Sequence, residues 1–420
     1  MKLNWKKIII IVGFIALVIL IGYLLYALFL KPAIPTQITN QNVNTGTGGL
    51  GGANTNANIP VAVNVNGTLP GINQNVDIGP PPDIEPTTPI ASPTATGGLT
   101  QTTALTSDQA FQPTLAANGQ NSIYYDKISG LFYQVTPNGV VTKLSDQVFY
   151  NVQNITWAPN KTKAVLEYPD GANIIYDFST EKQITLPSHW KDFNFSPNSD
   201  QLVFKSMGLN TENRWLAITN SDGSQAKKLE LLGNKDATVY PSWSPNNQIV
   251  AMYTEDDSFD RQKLYFVGLN DENFKATMIE GRGFESQWST NGDRLLYSVY
   301  HSASGYRPVL WIVEAQGEKI GNNRRSLDLA TWADKCTFSN NDTVYCAVPQ
   351  SLPEGSGIFK NDFDTTACDI YKIDLTTGFR NKVAVPEGEH NIGDIMVSQN
   401  EKYLYFVSQN DGKLYKINLQ

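Results

Sequence analysis

The chain has 420 residues, with 32 Lys and Arg against 40 Asp and Glu and a formal charge of −8. Lys2, Lys6, Lys7 and Lys31 are the only basic residues before Lys127, so the chain after Lys31 holds 28 basic against 40 acidic residues. An acidic domain without a basic cluster repels phosphates, which excludes nucleic acid as a partner. Three cysteines are too few for a disulfide scaffold, and their spacing is not that of a zinc site.

Ile8–Leu30 is an uncharged run of 23 residues, long enough to cross a bilayer. Three lysines precede it and only Lys31 follows. This bias predicts a cytoplasmic tail at 1–7, a transmembrane helix at 8–30 and an extracytoplasmic remainder. A cleaved signal peptide would have a shorter apolar core and a small-residue cleavage site, and Leu30-Lys31-Pro32-Ala33 is a poor one. An uncleaved, single-pass signal anchor in the cell membrane is therefore expected. Residues 31–118 are rich in Asn, Thr, Gly, Pro and Gln, with only Asp77, Asp83, Glu85 and Asp108 acidic. Such a segment buries too little apolar surface to offset its conformational entropy. It reads as a disordered linker, with a reach of roughly 50 Å, that holds the following domain off the membrane.

Residues 119–420 carry a repeat. Tyr240–Ala251 (YPSWSPNNQIVA) is an alternating run, a Pro/Asn turn and a second apolar run, the pattern of a β-hairpin. Related copies are Ile155–Leu166 (ITWAPNKTKAVL), Phe193–Phe204 (FNFSPNSDQLVF) and Ser286–Tyr297 (SQWSTNGDRLLY), with weaker ones at Cys336–Cys346 and Ile395–Phe406. Aligned on the residue before the turn, they fall at Ala158, Ser196, Ser244, Ser289, Ser339 and Ser398, with gaps of 38, 48, 45, 50 and 59 residues. Strands such as IIYDF at Ile174 and KLYFV at Lys263 follow each hairpin. A four-stranded unit of about 40–50 residues is the signature of a propeller blade. Ser122–Tyr125, Leu131–Val135 and Val140–Leu144 read as a further, N-terminal blade without a clear first strand, for which Phe111–Ala116 is the candidate. The fold expected is an all-β propeller of about seven four-stranded blades, six and eight being the neighbouring counts.

Trp243-Ser244-Pro245-Asn246, followed by an apolar strand and Leu264-Tyr265-Phe266-Val267, resembles the repeat of TolB-type, WD-repeat-like propellers. The family pattern is Trp-Ser-Pro-Asp-Gly after the innermost strand. Here Asn246-Asn247, Asn160-Lys161 and Asn198-Ser199 replace Asp-Gly. The resemblance covers 121–420 and implies the fold; such repeats serve many functions.

In a propeller, loops joining second to third strands share one face with the connections between blades. Loops on a rigid scaffold commonly carry function. The inter-blade loops of this face hold His189, Trp190, Asp192, Tyr240, Arg282, Glu285, Trp332, Asp334, His390 and Asp394. The intra-blade loops hold Glu255–Asp260, His301–Arg307 and a long insertion, Pro349–Thr366. Three histidines on one face raise the question of a metal, but each sits in its own polar loop, so neither a metal nor a cofactor is expected. The acidic run at Glu255–Asp260 lacks the spacing of an EF-hand and reads as a solvated loop. Trp190 and Trp332 read either as exposed anchors for a partner or sugar ring, or as packing between blades. Cys336 and Cys346 lie symmetrically about the Asn340–Asp342 turn, facing each other across a hairpin as a disulfide candidate, with Cys368 a competitor for Cys346.

No Gly-x-Ser-x-Gly elbow, His-Glu-x-x-His or phosphate-cradling loop is present. A peptidase with an N-terminal propeller would need a catalytic domain after it, whereas Gln420 falls in the last blade. The expected function is binding, not catalysis: a scaffold docking a protein or peptide in the cell envelope. The alternatives are a glycan- or cell-wall-binding module, and a hydrolase or lyase using Asp192, Glu285, Asp334 and Asp394.

Overall fold

The computed structural model describes residues 90–270 and 272–420, together with Leu20. The anchor at Ile8–Leu30, of which Leu20 alone is described, and the linker as far as residue 89 lie outside the described residues. Among the described residues no helix is long and apolar enough to cross a membrane.

Seven antiparallel sheets follow one another along the chain, at 111–143, 154–186, 190–231, 239–279, 282–326, 336–386 and 392–418; these are blades 1 to 7 of a β-propeller. Within each blade, successive strands are hydrogen-bonded neighbours. First strands meet around the axis: Phe111–Leu115 touches Asn154–Trp157, which touches Trp190–Phe195, and Ile392–Val397 returns to Phe111–Leu115. Each of the seven junctions holds its own cluster of buried apolar side chains. Met252, Leu264, Leu295 and Tyr297 fill the junction of blades 4 and 5, and Tyr124, Val135, Tyr405 and Leu414 that of blades 7 and 1. Inner strands are thus covered on both sides, so Leu202–Lys205 and Leu295–Val299 are buried without a break instead of alternating.

The repeated turn has a physical basis. Ser196, Ser244, Ser289 and Ser398 are buried, and their hydroxyls accept the backbone N–H of Gln201, Ile249, Arg294 and Tyr403 at 2.9, 2.9, 3.1 and 2.9 Å. Three residues past the anchor the backbone is left-handed, at Lys161 (φ 62°), Ser199 (φ 65°), Asn247 (φ 61°), Gly292 (φ 71°) and Glu401 (φ 54°). Glycine adopts this freely, whereas each other residue holds it at a cost on the order of 1–2 kcal/mol. The same geometry occurs at Gly119 (φ 63°), three residues past Ala116. Leu115–Tyr125 (LAANGQNSIYY) is therefore the seventh copy, with Phe111–Leu115 as its first strand. On this face the turns link blade to blade. Asn160 N donates to Ser199 Oγ (3.1 Å), Asn246 Nδ2 to Gly292 O (2.8 Å), Asn291 N to Asn341 Oδ1 (3.1 Å) and Ser339 Oγ to Glu401 Oε1 (2.8 Å).

The domain boundary expected at 118/119 falls too late. Thr103–Ala104 pairs antiparallel with Leu414–Asn418 as the outermost strand of blade 7. Leu99–Thr100 runs parallel to Arg380–Pro386 as a fifth strand of blade 6. This polar segment buries little, but it occupies backbone donors and acceptors along two sheet edges that would otherwise be open. Composition does not register that gain.

Cys336 and Cys346 are opposite each other on the first two strands of blade 6 and are joined by a disulfide. Cys368 is a buried free thiol opposite Pro349, and burial pushes its pKa up.

Candidate functional site

The loop face divides nine of the ten residues singled out in the sequence into three groups and leaves His189 apart. Trp190 and Trp332 are core residues. Trp190 opens the first strand of blade 3, is 7% exposed and stacks on Phe204 at 3.9 Å. Trp332 is 2% exposed. Neither offers an open ring to a ligand: Trp190 is taken by the junction of blades 2 and 3, and Trp332 is buried beneath Lys360. Tyr240 and His390 are also packed, Tyr240 edge-on to Phe284 (5.2 Å) and His390 between Phe406 (5.2 Å) and Tyr415 (4.5 Å). Burial lowers the pKa of His390. His189 is exposed beside Trp190.

Arg282 and Asp192 are braces. Arg282 binds Asp256 (2.7 Å) and the carbonyls of Phe259 (2.8 Å) and Ser258 (3.0 Å), so it fixes the acidic hairpin of blade 4. The run Glu255–Asp260 is not the loop expected: as far as Ser258 it is the end of the second strand, paired with Arg261–Lys263 of the third, and only Phe259 and Asp260 form the turn. In this hairpin Glu255 meets Lys235 at 2.6 Å, and Asp260 accepts the N–H of Ser302 at 2.9 Å. Asp192 pairs with Lys205 at 2.7 Å. Among the described residues no group of three or more His, Cys, Asp and Glu is arranged to hold a metal ion.

Glu285, Asp334 and Asp394 come together at the mouth of the channel. Glu285 lies on the first strand of blade 5, Asp334 in the short turn Ala333–Lys335 before blade 6, and Asp394 on the first strand of blade 7. The insertion between the second and third strands of blade 6 adds Lys360, Asn361 and Asp364. These three, with Glu285, Asp334, Lys335, Gly393 and Gln409, enclose a pocket of about 470 Å³, and Asp394 stands beside it, within reach of the Asp334 and Lys335 charges. Lys335, Lys360 and Asp364 escaped the sequence analysis. The insertion itself was visible, and Lys360 is its only basic residue.

Lys360 Nζ sits 2.9 Å from both carboxylate oxygens of Glu285, 2.5 Å from Asp334 Oδ2 and 5.3 Å from the Trp332 ring centroid. Burial and then the Asp334 charge push Glu285 up to about 7, against the pull of Lys360. Burial opposes the charge on Lys360, yet the two carboxylates outweigh it and raise its pKa. Asp394 reaches solvent but is crowded by protein; that crowding and then Asp334 push it up to about 6. Lys335 is buried, with Nζ 2.9 Å from Asp364 Oδ1, 3.1 Å from Asn391 Oδ1 and bonded to the carbonyl of Ile392. Its approach to Asp364 is a close ion pair that is not aligned as a hydrogen bond. Four carboxylates thus face two ammonium groups, a mouth with surplus negative charge.

Beside the mouth stands a braced rim. Gly355 N donates to Gly305 O (2.9 Å) and Gly357 N to Tyr306 O (2.7 Å), knitting the insertion to the blade 5 loop. Ser302 in turn bonds Asp260 of the blade 4 loop. From this rim Phe259 (67% exposed), Ile358 and Phe359 (55% exposed) project into solvent, and Leu209 does so on the blade 3 loop. Gly357 is required by the fit, since a Cβ there would lie 2.5 Å from Tyr300 Cβ.

No protein-family model matches the chain. No curated protein matches it either. Solved structures similar to it include an oligogalacturonate lyase in complex with manganese (14% identity, 76% of this chain and 93% of that chain, TM-score 0.48). The Myceliophteria thermophila Cps50 (Swd1) β-propeller domain is another (10% identity, 76% and 100%, TM-score 0.49). The tricorn protease is a third (10% identity, 75% and 34%, TM-score 0.47). At these identities the likeness concerns the fold alone.

Proposed function

We propose that the chain is a membrane-tethered, extracytoplasmic scaffold of TolB-type architecture that docks a protein or peptide on its loop face in the cell envelope. The observation that carries this reading is the rim: Phe259, Ile358 and Phe359 are held in solvent by loops that are hydrogen-bonded to one another. Large apolar side chains displayed on a preorganised surface lower the ordering cost of association and supply anchor contacts. The adjoining mouth, with four carboxylates against two lysines, favours a partner segment that combines basic and apolar side chains. The run at Ile8–Leu30 supports the tether, and the buried Cys336–Cys346 bridge suits an oxidising compartment.

The two alternatives are less well supported. A glycan platform on Trp190 and Trp332 is disfavoured by their burial. A hydrolase using Glu285 would need a free carboxyl oxygen, and Lys360 engages both. The test is capture from envelope extract by the full chain in nanodiscs. A partner retained by the wild type and by Phe379→Ser, on the opposite face, should be lost from the Phe259→Ser/Phe359→Ser variant. Equal retention by all three overturns the reading.

A further inference from the structure

A second concavity lies on the same face, over blades 1 to 3 and away from the charged mouth. Two hollows of about 610 and 400 Å³ share Gln153, Tyr168 and Pro169 in their walls, so they form one groove running from Lys127 to Asp192. Its two tyrosines stand on pinned backbone. Tyr150 is 67% exposed, yet it sits between two buried residues, Phe149 and Val152. Phe149 N donates to Gly130 O (2.7 Å), its carbonyl accepts the Tyr125 hydroxyl, and Asn151 takes a left-handed φ of 60°. The backbone of the segment is therefore pinned on both sides, and Tyr150 is left in solvent. The Tyr168 backbone is fixed by its own tight turn, Gly171 N bonding Tyr168 O and Tyr168 N bonding Ala172 O, both at 2.9 Å, and its half-buried side chain packs on one side against the core of blades 1 and 2.

Between and beyond these rings the walls carry amides and carboxyls. Asn154 is held by Gln112 Nε2 (2.7 Å) and donates to Glu167, so the groove wall there is a fixed polar chain. Two lysines, Lys127 and Lys191, stand against Glu167, Asp170 and Asp192, leaving the groove close to neutral. That balance disfavours phosphorylated or polyanionic ligands. The walls are turns and strand ends, not an open sheet edge, so a peptide cannot add as a strand. An exposed tyrosine and a half-buried one, on fixed backbone among amide and carboxyl groups, match a ligand with apolar ring faces and hydroxyl edges.

We infer that this groove binds a neutral oligosaccharide, with Tyr150 and Tyr168 as stacking platforms and Gln153 and Asn154 as hydroxyl partners. The site is separate from the rim and from the charged mouth. It is tested by titrating the full chain in nanodiscs with chitotetraose, cellotetraose and tetragalacturonate, following binding by calorimetry. At least one of the two neutral tetramers should bind saturably. Tyr150→Ala should weaken it about tenfold or more with an unchanged melting curve, while Phe259→Ser should leave it unaltered. Absence of saturable binding of both neutral tetramers up to roughly 10 mM overturns the inference. So does binding that Tyr150→Ala and Tyr168→Ala leave intact, or tighter binding of tetragalacturonate.

Discussion

Lys360 Nζ lies 2.9 Å from both oxygens of Glu285, although 75 residues of chain separate them. The contact locks the blade 6 insertion over the channel mouth, and the Asp334 carboxylate beside it makes the site one proton short of comfort. Glu285 is raised from an ordinary value of 4.5 to about 7. Between those values the folded state binds more protons than the unfolded chain, so this group's contribution to stability falls as pH rises through the window. Glu285→Gln removes that dependence. The melting temperature of the variant relative to wild type should therefore increase by a few degrees from about pH 5 to about pH 8. A constant offset across that range would contradict the assignment.

Lys335 and Asp364 form a buried pair 2.9 Å apart. Removing one partner strands the other's charge, so Lys335→Ala should cost about 3–5 kcal/mol in denaturant unfolding. Lys335→Met/Asp364→Leu, which removes both charges, should recover most of that loss. A single variant as stable as wild type would mean that the pair is not buried in solution.

Ring closure depends on strands contributed from before blade 1. Deleting residues 90–104 from the full chain leaves the Leu414–Asn418 edge of blade 7 and the Arg380–Pro386 edge of blade 6 uncovered. The expected product aggregates. A soluble protein with one cooperative melting transition would show that these strands are dispensable.

The Cys336–Cys346 bridge closes a short loop, with a sequence separation of 10. On chain-entropy grounds Cys336→Ala/Cys346→Ala should lower stability by about 2–3 kcal/mol. Mass spectrometry of material from an oxidising compartment should find Cys368 alone alkylated after unfolding without reductant. Three alkylated cysteines would contradict the bridge.

The architecture was legible where it is local. The Ser anchor and its turn recur because one buried hydroxyl satisfies the N–H five residues on, and a local hydrogen bond leaves a local pattern. Ala116 lacks that hydroxyl, as Ala158 does, but Ala158 keeps Trp157 and Pro159 on either side, whereas Leu115-Ala116-Ala117 carries no aromatic, serine or proline to align. The closing strands were illegible for a different reason: Leu99–Thr100 and Thr103–Ala104 are two residues each, without alternation, and gain order only from edges more than 280 residues away. At the site, Glu285, Asp334 and Asp394 could be placed on one face from topology alone. Burial could not be read, because Trp190 and Trp332 look the same in sequence whether they face solvent or a neighbouring blade. Lys335 and Lys360 were missed because their partners are non-local.

The most direct test of the docking account is site-specific photocrosslinking in intact cells. A photoreactive residue replaces Phe359 on the rim, 55% exposed, or, in a second strain, Phe379 on the opposite face, 67% exposed. The account expects a discrete protein adduct from position 359 and none from position 379. Adducts from both positions alike, or from neither, would contradict a docking surface on the loop face.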